Sequence, residues 1–196
     1  IQEKPLFEKA AQELSTNISS SSHLEAEQQK PYNLARDVRM MIWIATAAFG
    51  LEGLVKRELL DLGLDARPEL GGVRFEGDSD KAFEANLWLR TADRVLLLTG
   101  EGQVLTFEEL FQLVLSIPWE DYLPADARFP VSGHCARSQL MSVRDCQSII
   151  KKAIVERLKK KYRRNQFEET GSIYAVSFSI HNNQAKLMLD ASGDAL

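Results

Sequence analysis

Eight cationic side chains fall within the stretch from Lys151 to Arg164: Lys151, Lys152, Arg157, Lys159, Lys160, Lys161, Arg163 and Arg164, with Glu156 as the one acid among them. Lysine offers a compact point charge and arginine a planar fork of donors, and both recognise the oxygens of an anionic polymer. A few residues upstream, Arg137, Ser138 and Gln139 supply a guanidinium, a hydroxyl and an amide. These are the donor types that hold phosphate and sugar oxygens. The chemistry on offer is binding rather than bond-making.

The charge distribution sharpens this reading. The chain has a formal net charge of −4, yet residues Arg128 to Arg164 hold eleven Lys or Arg and two Asp or Glu. The remainder is correspondingly acidic. A positive patch on an acidic protein attracts polyanions whatever the global charge. Two other readings compete with it: a solvated helix end whose lysines serve solubility, and a protein-interaction module whose basic helix meets an acidic partner.

No other residue set suggests a reaction. His134 and Cys135 are adjacent, and neighbours on a strand point to opposite faces, so they do not form a nucleophile pair. Glu108, Glu109, Glu120 and Asp121 flank a helix and a Pro-Trp loop as caps and surface charges. Three scattered histidines and two cysteines, Cys135 and Cys146, give no zinc spacing. Their separation allows a disulfide, although reduced thiols in the cytoplasm are the simpler expectation. Gly100-x-Gly102 after RVLLLT imitates the start of a nucleotide-binding turn but lacks a third glycine. No apolar run has transmembrane length and no signal peptide is recognisable, so the expectation is a cytoplasmic protein with no membrane role.

The elements that must carry the cations follow from periodicity. Ser142, with Asp145 three residues on, opens a helix. Val143, Cys146, Ile149, Ile150, Ala153, Ile154, Leu158 and Tyr162 recur at helical spacing. If helical to Arg164 this stretch is roughly 34 Å long, with one packed side and one dense positive side. Upstream, MIWIATA predicts a buried strand and LEGLVKRELLDLG a helix with a Leu51, Leu54, Val55, Leu59, Leu62 stripe. DARPEL and VRFEG predict strands around Gly71-Gly72, KAFEANLWLR a helix capped by Asp78 or Ser79, and RVLLLTGEG a strand. Strand, helix, strand, strand, helix, strand is the order of a ferredoxin-like domain.

Beyond it, TFEELFQLVLSI is a helix opened by Thr106 and Glu109, and ARFPVSGHCA is a strand. SIYAVSFSI and AKLMLDA form a hairpin around HNNQ, with His181 in the turn. Trp43, Trp88 and Trp119 are expected in the core, Trp119 partly exposed in its loop. The fold class is α+β, in two units at 41–103 and 104–196, preceded by a linker or tail over 1–40. Met40 and Met41 would serve as a natural start for the folded part, and ASGDAL is an odd place for a domain to stop.

Residues 41–196 resemble the N-terminal region of a bacterial 23S ribosomal RNA guanine-N2 methyltransferase family. The resemblance rests on ATAAFGLEGLVKREL, GGVRFEG, SQLMSVRDCQSIIKKAIVERL and LDASGDAL. It implies a ferredoxin-like domain followed by a THUMP domain, an RNA-binding module, with a methyltransferase domain beyond them. No Asn/Asp-Pro-Pro-Tyr/Phe tetrapeptide, the family's catalytic motif, occurs in the chain. The resemblance therefore implies no catalytic residue, no metal and no cofactor in this chain, and S-adenosylmethionine for its parent enzyme. The partners it implies are structured ribosomal RNA and the parent's own methyltransferase domain; oligomeric state is unspecified. In that frame Arg137, Ser138, Gln139, Lys151, Lys152, Lys159, Lys160, Lys161, Arg163 and Arg164 are the expected RNA contacts. The ferredoxin-like unit becomes a spacer between this grip and the catalytic pocket.

Overall fold

Three consecutive apolar residues in MIWIAT predict a strand covered on both faces. In the computed structural model, β1 (Met41–Thr46) buries Trp43, Ile44 and Ala45. The structure describes residues 39–164 and 166–192, so nearly all of the 1–40 segment lies outside the described residues. β1 is flanked on both sides by antiparallel neighbours, β3 (Gly72–Gly77) and β4 (Arg94–Gln103). β2 (Ala66–Glu69) pairs with β3 across a turn at Gly71, whose φ of +79° favours glycine. Pro68 is tolerated because β2 is an edge strand.

Helix α1 (Glu52–Asp61) follows β1, and Gly63, at φ +75°, closes it by donating to the Leu60 carbonyl at 2.9 Å. Only Val55 and Leu59 of its expected stripe are buried. Leu51 and Leu54 are exposed, because the helix lies on the sheet along a single i, i+4 line. Helix α2 (Ser79–Trp88) is capped by Asp78, which accepts from the Lys81 N–H at 2.9 Å. Its contact side is Ala82 and Ala85, small residues that let the helix sit low. Trp88 therefore turns outward, 65% exposed, and is not the core residue its type suggested.

The second half begins with α3 (Phe107–Ser116), where Thr106 and Glu109 form a complete capping box. A 3-10 turn (Trp119–Asp121) comes next. Trp119 is fully buried, against the expectation of partial exposure, because its indole N–H reaches back to the Val114 carbonyl at 2.8 Å. The remaining elements are β5 (Val131–Ala136), α4 (Val143–Tyr162), β6 (Val176–His181) and β7 (Gln184–Asp190). β5 and β6 run parallel, so α4 is the crossover helix a parallel pair requires. Val176, Phe178 and Ile180 face the core by strict alternation. Asn182 and Asn183, at φ +50° and +64°, make the tight turn into β7. His181 is the last residue of β6 rather than part of that turn. The strands expected before Val131 and Val176 shrink to one bridge between Arg128 and Ile173.

The two halves are one sheet. Its order is β2-β3-β1-β4-β7-β6-β5, joined in the middle by antiparallel pairing of β4 with β7. A bulge between Leu98 and Gly100 makes this junction work. Val95 and Leu97 lie against the main core before it, and after it Gly100 and Gly102 face α3 and the turn that ends it. The Thr99 hydroxyl donates to the Leu187 carbonyl at 2.9 Å and fixes the irregularity. A Cβ on Gly100 would stand 2.6 Å from the Ile117 Cδ1, and one on Gly102 3.2 Å from the Leu113 Cδ1. These glycines serve helix-to-strand packing. Gly100→Ala should lower stability by about 1–2 kcal/mol, read as an earlier urea midpoint with unchanged slope.

All four α-helices among the described residues contribute to one core cluster. On the opposite side of the central strands, Ile44, Leu96 and Met188 form a second, small cluster. Around it run ion pairs: Arg74 with Glu101 at 2.8 Å and Glu69 at 3.5 Å, Lys186 with Glu69, and Arg94 with Asp190 at 2.6 Å.

Candidate nucleic-acid interface

The basic helix α4 starts where the sequence says it should. The Ser142 hydroxyl accepts from the Asp145 N–H at 3.3 Å. Cys146, Ile150, Ala153, Ile154 and Leu158 form the buried face. The helix stops at Tyr162, short of the expected Arg164. There the phenol O–H donates to the Leu123 carbonyl at 2.8 Å. Arg163 then adopts a left-handed φ of +52°, which ends the hydrogen-bond ladder. The helix is therefore about 30 Å long, and Arg163 and Arg164 leave its end.

Its outer side is not a uniform positive rod. Lys151 pairs with Glu169 at 3.2 Å and lies over the Phe129 ring. Lys152 lies over Phe111, its ammonium 5.8 Å from the ring centre. Lys159 pairs with Glu156 at 3.0 Å. Arg157 makes a two-point contact with Glu120, Nε to Oε2 at 2.8 Å and an η nitrogen to Oε1 at 2.6 Å. A cluster remains at the helix end: Lys160, Lys161, Arg163 and Arg164 are exposed and have no ion-pair partner among the described residues. Lysines in the last turn also complement the negative end of the helix dipole.

Glu120 is a member of the frame under this cluster. Its hydrogen bonds from Arg157 bring its carboxyl down to about 2, against the cost of burying it. A carboxylate with a depressed folded-state pKa adds stability that is complete above its unfolded value near 4.5 and is lost as pH falls toward 2. Glu120→Gln leaves the partly shielded Arg157 without its counter-charge. The expected cost near neutral pH is on the order of 2 kcal/mol. Acid titrations of stability should show a shallower decline between pH 5 and 2 in the variant than in the parent.

Arg137, Ser138 and Gln139 lie in the loop between β5 and α4, at the opposite end of the helix from Arg163 and Arg164. The expected contacts thus fall into two groups. The Ser138 hydroxyl donates to the Asn183 Oδ1 at 3.0 Å, and the Gln139 N–H donates to the same oxygen at 2.8 Å. The Ser138 oxygen also accepts from the Leu140 N–H at 3.2 Å, so this hydroxyl is used to build the loop. Arg137, at φ +48°, is exposed. Sequence reasoning misses Asn183 as a site residue, since HNNQ signals a turn and nothing in it shows that the turn's side chain reaches a loop more than forty positions away.

Cys135 of β5 and Cys146 of α4 are free thiols with sulfurs 3.8 Å apart. Burial pushes the Cys146 thiol up to about 12 and raises that of Cys135. Both are neutral packing residues near pH 7. His134, beside Cys135 in sequence, is exposed to solvent.

Comparison with known proteins agrees with this architecture. Residues 43–96 match the family profile of the RlmL ferredoxin-like domain, and residues 105–190 match that of the THUMP domain. An α+β chain built as a ferredoxin-like domain joined to a THUMP domain is the class the fold defines. The chain carries both of these domains, and the relatives that match it over this region carry methyltransferase names. It is 44% identical over 155 residues to the Bacillus subtilis (strain 168) protein called "Putative RNA methyltransferase YpsC", covering 78% of this chain and 40% of that one. It is 33% identical over 159 residues to the ribosomal RNA large subunit methyltransferase K/L of Magnetococcus marinus, covering 80% and 22%.

Among solved structures, a Listeria monocytogenes protein described as a predicted N6-adenine-specific DNA methylase matches with a TM-score of 0.76 at 47% identity. That match covers 79% of this chain and 41% of the other. SMU.472, described as a putative methyltransferase complexed with SAH, matches with a TM-score of 0.74 at 39% identity, covering 79% and 42%. The chain spans well under half the length of these relatives.

Proposed function

We propose that this chain is the RNA-recognition region of an S-adenosylmethionine-dependent ribosomal RNA guanine-N2 methyltransferase of the cytoplasm. It holds structured RNA by phosphate contacts and presents it to a methyltransferase domain beyond the residues present. The observation that carries the reading is the cation cluster at the end of α4 within the THUMP half: Lys160, Lys161, Arg163 and Arg164, without ion pairs among the described residues. RNA duplexes hide their bases in a deep, narrow groove and expose phosphates and 2′-hydroxyls, so a cationic end of this kind suits them. Lys151, Lys152 and Lys159 join this contact set once RNA competes for them, since exposed ion pairs are worth little.

The cofactor belongs to the parent enzyme. The complex of a neighbour with SAH supports S-adenosylmethionine as methyl donor there. The residues present do not fit that group: Gly100 and Gly102, the cofactor-like pair, lie inside β4 against Ile117 and Leu113 and form no loop. This chain's task is to bind and orient. Fluorescence anisotropy with a ribosomal RNA stem-loop, across salt, tests it. Binding should weaken on a log–log plot with a slope of roughly −0.7 to −0.9 per phosphate contact. Salt-insensitive binding to an acidic protein but not to RNA would instead favour the protein-interaction reading. Methylation of that RNA by the parent enzyme, mapped to guanine N2, tests the chemistry.

A further inference from the structure

Two arginines of the described chain adopt left-handed backbone, Arg137 ahead of α4 and Arg163 just after it. A side chain at positive φ is strained wherever glycine would fit without cost. Glu169 shares this conformation, but its carboxylate has a local use, the ion pair with Lys151 at 3.2 Å. Asn182 and Asn183 form a tight turn, where asparagine is ordinary. For Arg163 the helix dipole supplies a structural reason to be cationic. Arg137 has none. It lies on the N-terminal side of α4, where the dipole disfavours a cation, and no ion pair holds it among the described residues.

The strained loop is nevertheless held firmly. The Asn183 Oδ1 takes both the Ser138 hydroxyl and the Gln139 N–H, and the Asn183 carbonyl takes the Val104 N–H at 2.8 Å. The Asn182 N–H donates to the Ala136 carbonyl at 3.3 Å. The β6–β7 turn thus clamps both sides of Arg137, and buried Leu140 anchors the loop's far side.

We infer that the Arg137 loop is a second phosphate-binding point for RNA, with Arg137 as the contact and Asn183 as the positioning residue that holds it in a left-handed turn. The inference rests on the proposed RNA-recognition function. It adds a substrate requirement: an RNA engaging both points must extend along α4, about 30 Å, which a short stem cannot do.

The test compares Arg137→Gly, Asn183→Gly and Asn183→Asp with the parent, by RNA anisotropy and thermal unfolding. Stems of about five and about sixteen base pairs are used, the longer matching the span of a two-groove duplex contact. Arg137→Gly should leave Tm unchanged or slightly raised while weakening the long stem roughly five- to tenfold and the short stem little. Asn183→Gly keeps the turn's backbone but removes the clamp and should weaken the long stem similarly. Asn183→Asp keeps the accepting oxygen and should keep Tm, while its added negative charge at the loop weakens the long stem. A fall in Tm for Arg137→Gly with unchanged affinity would make Arg137 structural and overturn the inference. Equal losses on both stems would overturn the two-point geometry. If the parent itself binds neither stem, the underlying RNA reading fails instead.

Discussion

Changing Lys160, Lys161, Arg163 and Arg164 together to Glu is expected to weaken binding to a ribosomal RNA stem-loop by about 10²-fold or more near physiological salt. It should also flatten the salt dependence by about three on the log–log slope, the loss of four counterion-releasing contacts. All four side chains are exposed and lack ion pairs among the described residues, and the internal charge interaction that is disturbed is the attraction between Lys161 and Glu120. Acids at a helix C-terminus oppose the dipole, and some stability is lost on that account, on the order of 1–2 kcal/mol. A Gln version of the same variant separates the two effects. It should retain the fold, show an intermediate affinity, and flatten the slope by about the same three, since the same four cations are lost. Affinity that falls in the Glu version alone would mean repulsion rather than lost contacts.

The second large effect is structural. Trp119→Ala should cost about 3–5 kcal/mol and lower Tm by about 10 °C or more, measured by calorimetry or circular dichroism. The indole is fully buried, and its N–H satisfies the Val114 carbonyl at the last turn of α3. It also sits next to Glu120, so its loss loosens the two-point contact to Arg157 that ties this turn to α4. Trp119→Phe keeps most of the volume and loses the hydrogen bond, and should cost about 1–2 kcal/mol. RNA binding by Trp119→Ala should recover at low temperature, where the fold is retained, which distinguishes a support from a contact.

The features legible in the sequence were those governed by local rules. Ser142 and Asp145 marked the start of α4, Thr106 and Glu109 that of α3, and the alternation of Val176, Phe178 and Ile180 named the face of β6. The residues that misled did so because their surroundings are set by other parts of the chain. Trp88 reads as core by type, yet Ala82 and Ala85 do the packing of its helix. Trp119 reads as a loop residue, yet a carbonyl five positions back draws it inside. Lys151, Lys159 and Arg157 read as parts of one positive surface, and three carboxylates from two separate segments and the helix itself occupy them. The Asn183 clamp was invisible because hydrogen bonds between turns leave no periodic trace. The ferredoxin-like order was readable from element succession; its fusion to the THUMP half through β4 and β7 was not, since strand neighbours far apart in sequence carry no pattern.

That fusion has a mechanical consequence. Domains linked by a loop can swivel, and each can melt or be excised by itself. Here a single strand, β4, begins within one family domain by sequence and completes the sheet of both. Cutting between the domains would strip one half of its neighbour and leave a bare ladder edge, an invitation to self-association. The distance and angle between the cationic end of α4 and the ferredoxin-like unit are therefore fixed by hydrogen-bond geometry, and the pair behaves as a ruler without a joint.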